Sequence, residues 1–453
     1  MEVFLKVIQV ILALSILVLV HEFGHFFFAR LFKIKVDKFY LFFDAGFALF
    51  RWKPKNSDTE YGIGWLPFGG YCKIAGMIDE SMDEKQIKSE PQPWEFRSHP
   101  AWQRFFVLFG GVFFNFILAI LVYSGILFNW GEEYIKNKDV TTGIAVNELA
   151  TEIGFRNGDI VLAFDDNPVE DFNALRIDLI RNQARTATVL RDGDTVVVDI
   201  DEKYMPAILN SEDLFTYGIP FIVDSIPENS QNYASGLTKG DKILRMDSTE
   251  TPIFAEVKEY ASMHKGQTLI ATVVREPDGT KDTLPAWYMD TLQIPVQVNE
   301  EGVMGIYLGG NLLDYYKVTK KEYSFFASIP AGFKKACNRI ASYWKELKLI
   351  FTPKTQAYKS VGSFIAIGRI FPGTWNWAAF WEITAFLSIM LAVLNILPVP
   401  ALDGGHLLFT LYEMVTGRKP SDKFLIIMQY IGMILIIGLM ILAFGNDIMR
   451  LLK

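Results

Sequence analysis

Apolar residues fall into long unbroken runs near both ends of the chain and into short alternating runs through its middle. Four long runs, near Val7 to Leu31, Phe105 to Phe128, Ala378 to Leu397 and Phe424 to Phe444, reach the roughly 20 residues a helix needs to cross a bilayer. The middle of the chain breaks every few residues at Gly, Asp or Pro, a β-rich rhythm of compact water-exposed modules. It also repeats itself: Gly154-Phe155-Arg156-Asn157-Gly158-Asp159-Ile160-Val161-Leu162 aligns with Gly236-Leu237-Thr238-Lys239-Gly240-Asp241-Lys242-Ile243-Leu244. Between the first two long runs, Trp65 to Gly76 alternates apolar residues with glycine and a proline, which predicts short strands joined by a bend. From Tyr323 to Phe351, Phe326, Ile329, Phe333, Cys337, Ile340, Trp344 and Leu347 recur at helical spacing, predicting one or two amphipathic helices at a membrane boundary, with a helix buried against the second repeat as the alternative.

Composition agrees with a membrane protein that carries soluble modules, since 51% of residues are hydrophobic and 21% charged. Charge is also sorted by location. Between Gly131 and Pro330 there are 33 acidic and 18 basic residues, a net −15 that leaves +8 for the rest. Arg30, Lys33, Lys35, Lys38, Arg51, Lys53 and Lys55 follow the first run, and Arg418, Lys419 and Lys423 separate the third from the fourth. The positive-inside rule therefore places both connections in the cytoplasm and the acidic middle outside it, with the first run a retained span. On that topology Cys72 and Cys337 lie on opposite sides and cannot form a disulfide.

The chemistry begins inside the first span. His21-Glu22-Phe23-Gly24-His25 places two imidazoles four residues apart on one helix face, with a carboxylate beside them. Such a trio is costly in hydrocarbon unless a cation compensates it, and only 5 histidines occur in the whole chain. The pattern points to a zinc hydrolase, which takes three protein ligands and keeps a fourth position for water. Asp403 is the best third donor. It follows Asn395-Ile396-Leu397-Pro398-Val399-Pro400, where prolines end the third span, and it precedes Gly404-Gly405. The topology brings both donor sets to the inner ends of inward-running spans, and His406 is the rival ligand.

These motifs together resemble the bacterial site-2 protease family of intramembrane zinc metalloproteases, in its regulator-of-sigma-E branch, over almost the whole chain. The resemblance implies that His21, His25 and Asp403 bind zinc, that Glu22 is the catalytic acid and base, and that Asn395 helps to hold substrate. Gly69-Gly70-Tyr71 is similar to a family segment that forms membrane-associated β structure, whose strand edge would capture an unwound substrate. The two Gly-x-x-x-Gly-Asp copies resemble tandem PDZ domains, which would filter substrates by size more than bind peptide tails. Pro220-Phe221-Ile222-Val223 is the better candidate for a peptide groove, unless it is a core strand. Two stretches depart from the family pattern, Gly110-Gly111-Val112-Phe113-Phe114-Asn115 and Ser360-Val361-Gly362-Ser363, and neither is expected to touch a ligand.

The implied architecture is a four-helix transmembrane α-helical bundle with a membrane-associated β segment and two extracytoplasmic α+β PDZ domains. Residues 1–130 and 373–453 would form the catalytic core, 131–217 and 218–313 the PDZ domains, and 314–372 the amphipathic connector. The implied activity is zinc-dependent cleavage of single-span proteins, such as anti-sigma factors or signal-peptide remnants, in the bacterial inner membrane after an upstream site-1-type protease has trimmed them. No nucleic-acid partner is expected. A catalytically silent membrane PDZ scaffold or chaperone with a structural metal is the rival reading.

Overall fold

A computed structural model describes residues 1–77, 90–275, 290–309 and 315–452. The chain forms two compact units, one of residues 1–131, 322–351 and 357–453, the other of 132–321 and 352–356.

Among the described residues, the first unit holds four helices long and apolar enough to cross a membrane: span 1 (Glu2–Leu31), span 2 (Ala101–Asn129), span 3 (Trp377–Ile396) and span 4 (Lys423–Leu451). Spans 1 and 2 cross at glycine. A Cβ on Gly24 would collide with the Gly110 carbonyl, and one on Gly110 with the Gly24 carbonyl, so only this pair permits the approach. Span 2 runs unbroken through Gly110 and Gly111. The amphipathic stretch is one helix, Phe325–Ile350, whose small face packs on span 2 where Gly332 abuts Ser124. Its Ala336 and Leu347 share a core with Ala119, Tyr123 and Ile126 of span 2 and Ala385, Ile389 and Val393 of span 3.

Strands β1 (Val36–Trp52) and β2 (Glu60–Ile74) are long enough to fold back, giving four side-by-side segments. Residues 38–41 pair on one side with 60–63 and on the other with 70–73, while 48–52 pairs with 61–64. Segment 70–74 is therefore an edge, with no further strand beside it among the described residues. Phe42, at φ 67°, sits where the register of β1 shifts. Phe43 and Asp44 consequently share a face with Tyr71, whose ring stacks on Tyr40 and Phe43.

The second unit holds the repeat. Strands β3 (Ile160–Phe164), β4 (Asn167–Pro168), β5 (Thr186–Arg191) and β6 (Asp194–Asp199) form a sheet in the order β4-β3-β5-β6. Strands β7 (Lys242–Met246), β8 (Thr249–Glu250), β9 (Thr268–Arg275) and β10 (Asp290–Gln297) follow the same order, β8-β7-β9-β10. The repeated aspartates act alike. Asp159 takes the Arg156 N–H at 2.8 Å and both arms of Arg191 at 2.8 and 2.7 Å. Asp241 takes the Thr238 N–H at 2.8 Å and both arms of Arg275 at 2.7 and 2.8 Å. Each arginine also donates to the first glycine of its copy, Gly154 or Gly236, at 2.9 Å. Asp241 is held below the ordinary carboxylate range: burial opposes ionisation, and the Arg275 guanidinium and Thr238 amide outweigh it. Phe221 and Val223 are buried in the core of the second copy, so that segment is a core strand.

Candidate active site

His21 and His25 point from one face of span 1 toward Asp403, the first residue of a short helix, Asp403–Thr416, that follows the proline-bounded end of span 3. The donors converge. His21 Nε2 lies 3.2 Å and His25 Nε2 3.4 Å from Asp403 Oδ2, and the two imidazole nitrogens are 3.3 Å apart. A tetrahedral zinc with bonds of about 2.0–2.1 Å needs donor–donor separations of about 3.3–3.4 Å, so the triangle has the size of one face of such a site. Asp403 Oδ2 is buried without a hydrogen-bond partner, although both nitrogens are close. Three potential ligand atoms facing one point suit a cation. His406 is not in the cluster.

Groups on span 2 set the imidazoles. His25 Nδ1 donates to the Val107 carbonyl at 2.8 Å, which leaves its Nε2 lone pair free. Asn115, fully buried, places its amide 3.3 Å from His21 Nδ1 while its Oδ1 has no partner. With His21 protonated at Nδ1, a turn of that amide would satisfy both groups and free His21 Nε2 in the same way. Ser388 of span 3 donates to the Asn115 carbonyl at 2.8 Å and ties the two spans at this level. Gly111 faces the rings directly: a Cβ there would lie 2.5 Å from His21 Cε1 and 2.6 Å from His25 Nε2. The expectation that the Gly110-to-Asn115 stretch touches no ligand is therefore wrong, because Gly111 and Asn115 both abut the imidazoles. Their role depends on span 2 crossing span 1 at Gly24, which spacing along one helix does not reveal.

The triangle opens into a cavity of about 550 Å³ lined by Glu22, Asn395, Asp403, His406 and Gln429 and, from the sheet, by Lys38, Asp44 and residues 70–74. Asn395 sits 3.3 Å from His21 Nε2. Gly70 lets the edge segment approach span 1, since a Cβ there would meet Val18, one turn before His21 and Glu22. Gly69 packs against the Phe43 ring and does not line the cavity. The Tyr71 hydroxyl donates to Asp44 at 2.9 Å, and Lys38 lies 3.4 Å from the same carboxylate. Partial burial works against Asp44 ionisation, yet the Tyr71 and Lys38 donors hold it below the ordinary carboxylate range.

A histidine pair flanking a glutamate, a third carboxylate donor and an adjoining cavity define the class of metal-dependent peptidases, here carried on membrane-spanning helices. The chain belongs to peptidase family M50, the site-2 protease family, whose model matches residues 9–439. It is 29% identical to the regulator of sigma-E protease RseP of Escherichia coli, covering 97% of this chain and 98% of that one. It is 26% identical to the regulator of sigma E protease of Haemophilus influenzae and 28% to RseP of Salmonella typhimurium, each over 97% of this chain and 98% of the relative. Relatives in Xylella fastidiosa carry zinc metalloprotease in their names, at 27% identity. The protein is accordingly a zinc metalloprotease of the membrane.

Proposed function

We propose that the protein is an intramembrane endopeptidase that cleaves the membrane-spanning segments of single-span proteins, with His21, His25 and Asp403 as its zinc ligands and Glu22 as its acid and base. The observation that carries this reading is the donor triangle, sized for one tetrahedral ion and opening on the cavity that holds Glu22. Zinc, when bound there, supplies a Lewis acid that acidifies water and polarises the scissile carbonyl. Val107, and Asn115 with its amide turned, keep the imidazole protons on the far nitrogens. Glu22 takes a proton from the attacking water and gives it to the leaving amine nitrogen. Asn395, beside His21, steadies the substrate carbonyl.

A membrane helix must unwind before its carbonyls can be reached, and the freed backbone groups need partners in an apolar setting. Segment 70–74 offers them as the outer strand of the sheet, lining the cavity, with Gly70 and Tyr71 in it and Gly69 leading into it. The two repeats are read as PDZ domains on the extracytoplasmic side that exclude substrates with bulky outer domains. Substrates would then be anti-sigma-factor-like proteins or signal-peptide remnants already trimmed by a site-1-type protease, in the inner membrane.

The test is cleavage of a truncated single-span substrate by purified enzyme in detergent, with and without chelator. Wild type should cleave it in a zinc-dependent manner, and Glu22→Gln should keep its zinc but lose about 1,000-fold or more in rate. A fully active Glu22→Gln would remove the assigned base. A zinc-loaded wild type that cleaves nothing would favour the scaffold reading.

A further inference from the structure

Span 4 carries a polar side chain for which the reaction described above has no use. Gln429 is 3% exposed and lines the catalytic cavity with His21, Glu22, Asn395 and Asp403. Its position is fixed from one turn away: a Cβ on Gly432 would collide with the Pro400 carbonyl, so span 4 lies directly on the loop that leads into Asp403. Residues 429 and 432 share a helix face, which sets the Gln429 amide beside the same loop.

Two other polar residues of span 4, Asn446 and Asp447, have partners on the chain. The Asn446 amide donates to the Tyr358 and Val361 carbonyls at 2.9 and 3.0 Å, and Asp447 accepts the Ser363 N–H and hydroxyl at 2.8 and 2.6 Å. These contacts explain themselves as an anchor for the helix end. Gln429 forms no hydrogen bond with any other described residue, although an unpaired amide on a membrane helix is costly and an apolar side chain would fill the position without that cost. A primary amide donates and accepts side by side, which matches the N–H and C=O of an unwound peptide chain.

We propose that Gln429 is a substrate-binding residue that hydrogen-bonds the backbone of the opened transmembrane segment. The cavity then offers that chain two sets of partners, the edge amides and carbonyls of 70–74 and the span 4 amide. Recognition of this kind reads the backbone and not the side chains, and it favours any apolar segment that can unwind. The inference rests on the proteolytic reading of the cavity.

The test uses full-length protein carrying Gln429→Met or Gln429→Leu. In the cleavage assay both variants should raise KM about tenfold, the worth of one buried hydrogen bond, with kcat changed less than about twofold. Zinc content should be unchanged and Tm equal to wild type or higher, because an unpaired amide has been removed. A wild-type KM in both variants overturns the proposal, and so does a lowered Tm with activity falling in proportion, which would mark Gln429 as structural. Substrate Kd is also measured in a Glu22→Gln background, where both variants should weaken binding about tenfold and an unchanged Kd overturns the proposal. If wild type shows no zinc-dependent cleavage, the proteolytic reading fails by itself, and the Kd comparison still decides the role of Gln429.

Discussion

Asp241 and Asp403 are both carboxylates withdrawn from water, and they are surrounded in opposite ways. Asp241 meets a two-armed arginine and a backbone amide, so its oxygens are supplied with protons by the chain itself, as Asp159 is in the first repeat. Asp403 meets two imidazole nitrogens at 3.2 and 3.4 Å and leaves Oδ2 with no proton donor. A carboxylate satisfied by its own chain stabilises a fold, whereas one aimed with other lone pairs at a shared point needs something from outside. The contrast separates a carboxylate that secures a fold from one placed where an ion could sit.

Substitution of the two aspartates should part the two properties. Asp403→Ala should weaken zinc binding by more than about 100-fold, beyond the usual reach of outer-shell changes, and reduce proteolysis to background, while thermal unfolding of the repeat unit stays as in wild type. Zinc content by plasma mass spectrometry reads the first effect and scanning calorimetry the second. Gly111→Ala should come next. It adds one methyl against both imidazoles and should lower zinc affinity about 10–100-fold without a change in any ligand. A variant with wild-type affinity would show that the rings are not held by span 2.

Asp241→Asn should do the reverse of Asp403→Ala, leaving zinc in place and costing the repeat unit about 2 kcal/mol. The pH dependence has a definite sign. Because the folded state depresses the Asp241 pKa, the stabilisation is complete above the unfolded value of about 3.9 and fades as pH falls through the lower folded value. Acid titration followed by amide hydrogen exchange in residues 242–275 should show unfolding at a higher pH in Arg275→Gln than in wild type, and coincident curves would deny the clamp its role.

Much of this was legible because it depends on local pattern. The four spans announce themselves by apolar length, and the helical spacing of His21 and His25 puts both rings on one face whatever surrounds them. That Asp403 lies beside the histidines was legible from the prolines that end span 3 and from the expected inward run of spans 1 and 3. What escaped depends on which surfaces meet. Gly24 and Gly110 read as two ordinary membrane glycines until the helices cross, and Asn115 and Gly111 acquire a purpose only from that crossing. The Gly-Asp turns were visible in frame, but the arginines that clamp them come from β5 and β9, more than thirty residues later, and no turn signal marks them. The sheet also exceeded expectation: Trp65 to Gly76 suggested a bend between short strands, and the structure sets residues 70–74 as the edge of four paired segments.

One ion bound jointly by span 1 and Asp403 would have a definite coordination shell, which X-ray absorption at the zinc edge reads on purified full-length protein. The expected shell is four-coordinate, of nitrogen and oxygen at about 2.0–2.1 Å with the outer scattering of two imidazoles, and is lost together in His21→Ala, His25→Ala and Asp403→Ala. A sulfur shell near 2.3 Å, or a spectrum unchanged by Asp403→Ala, would rule out the joint site.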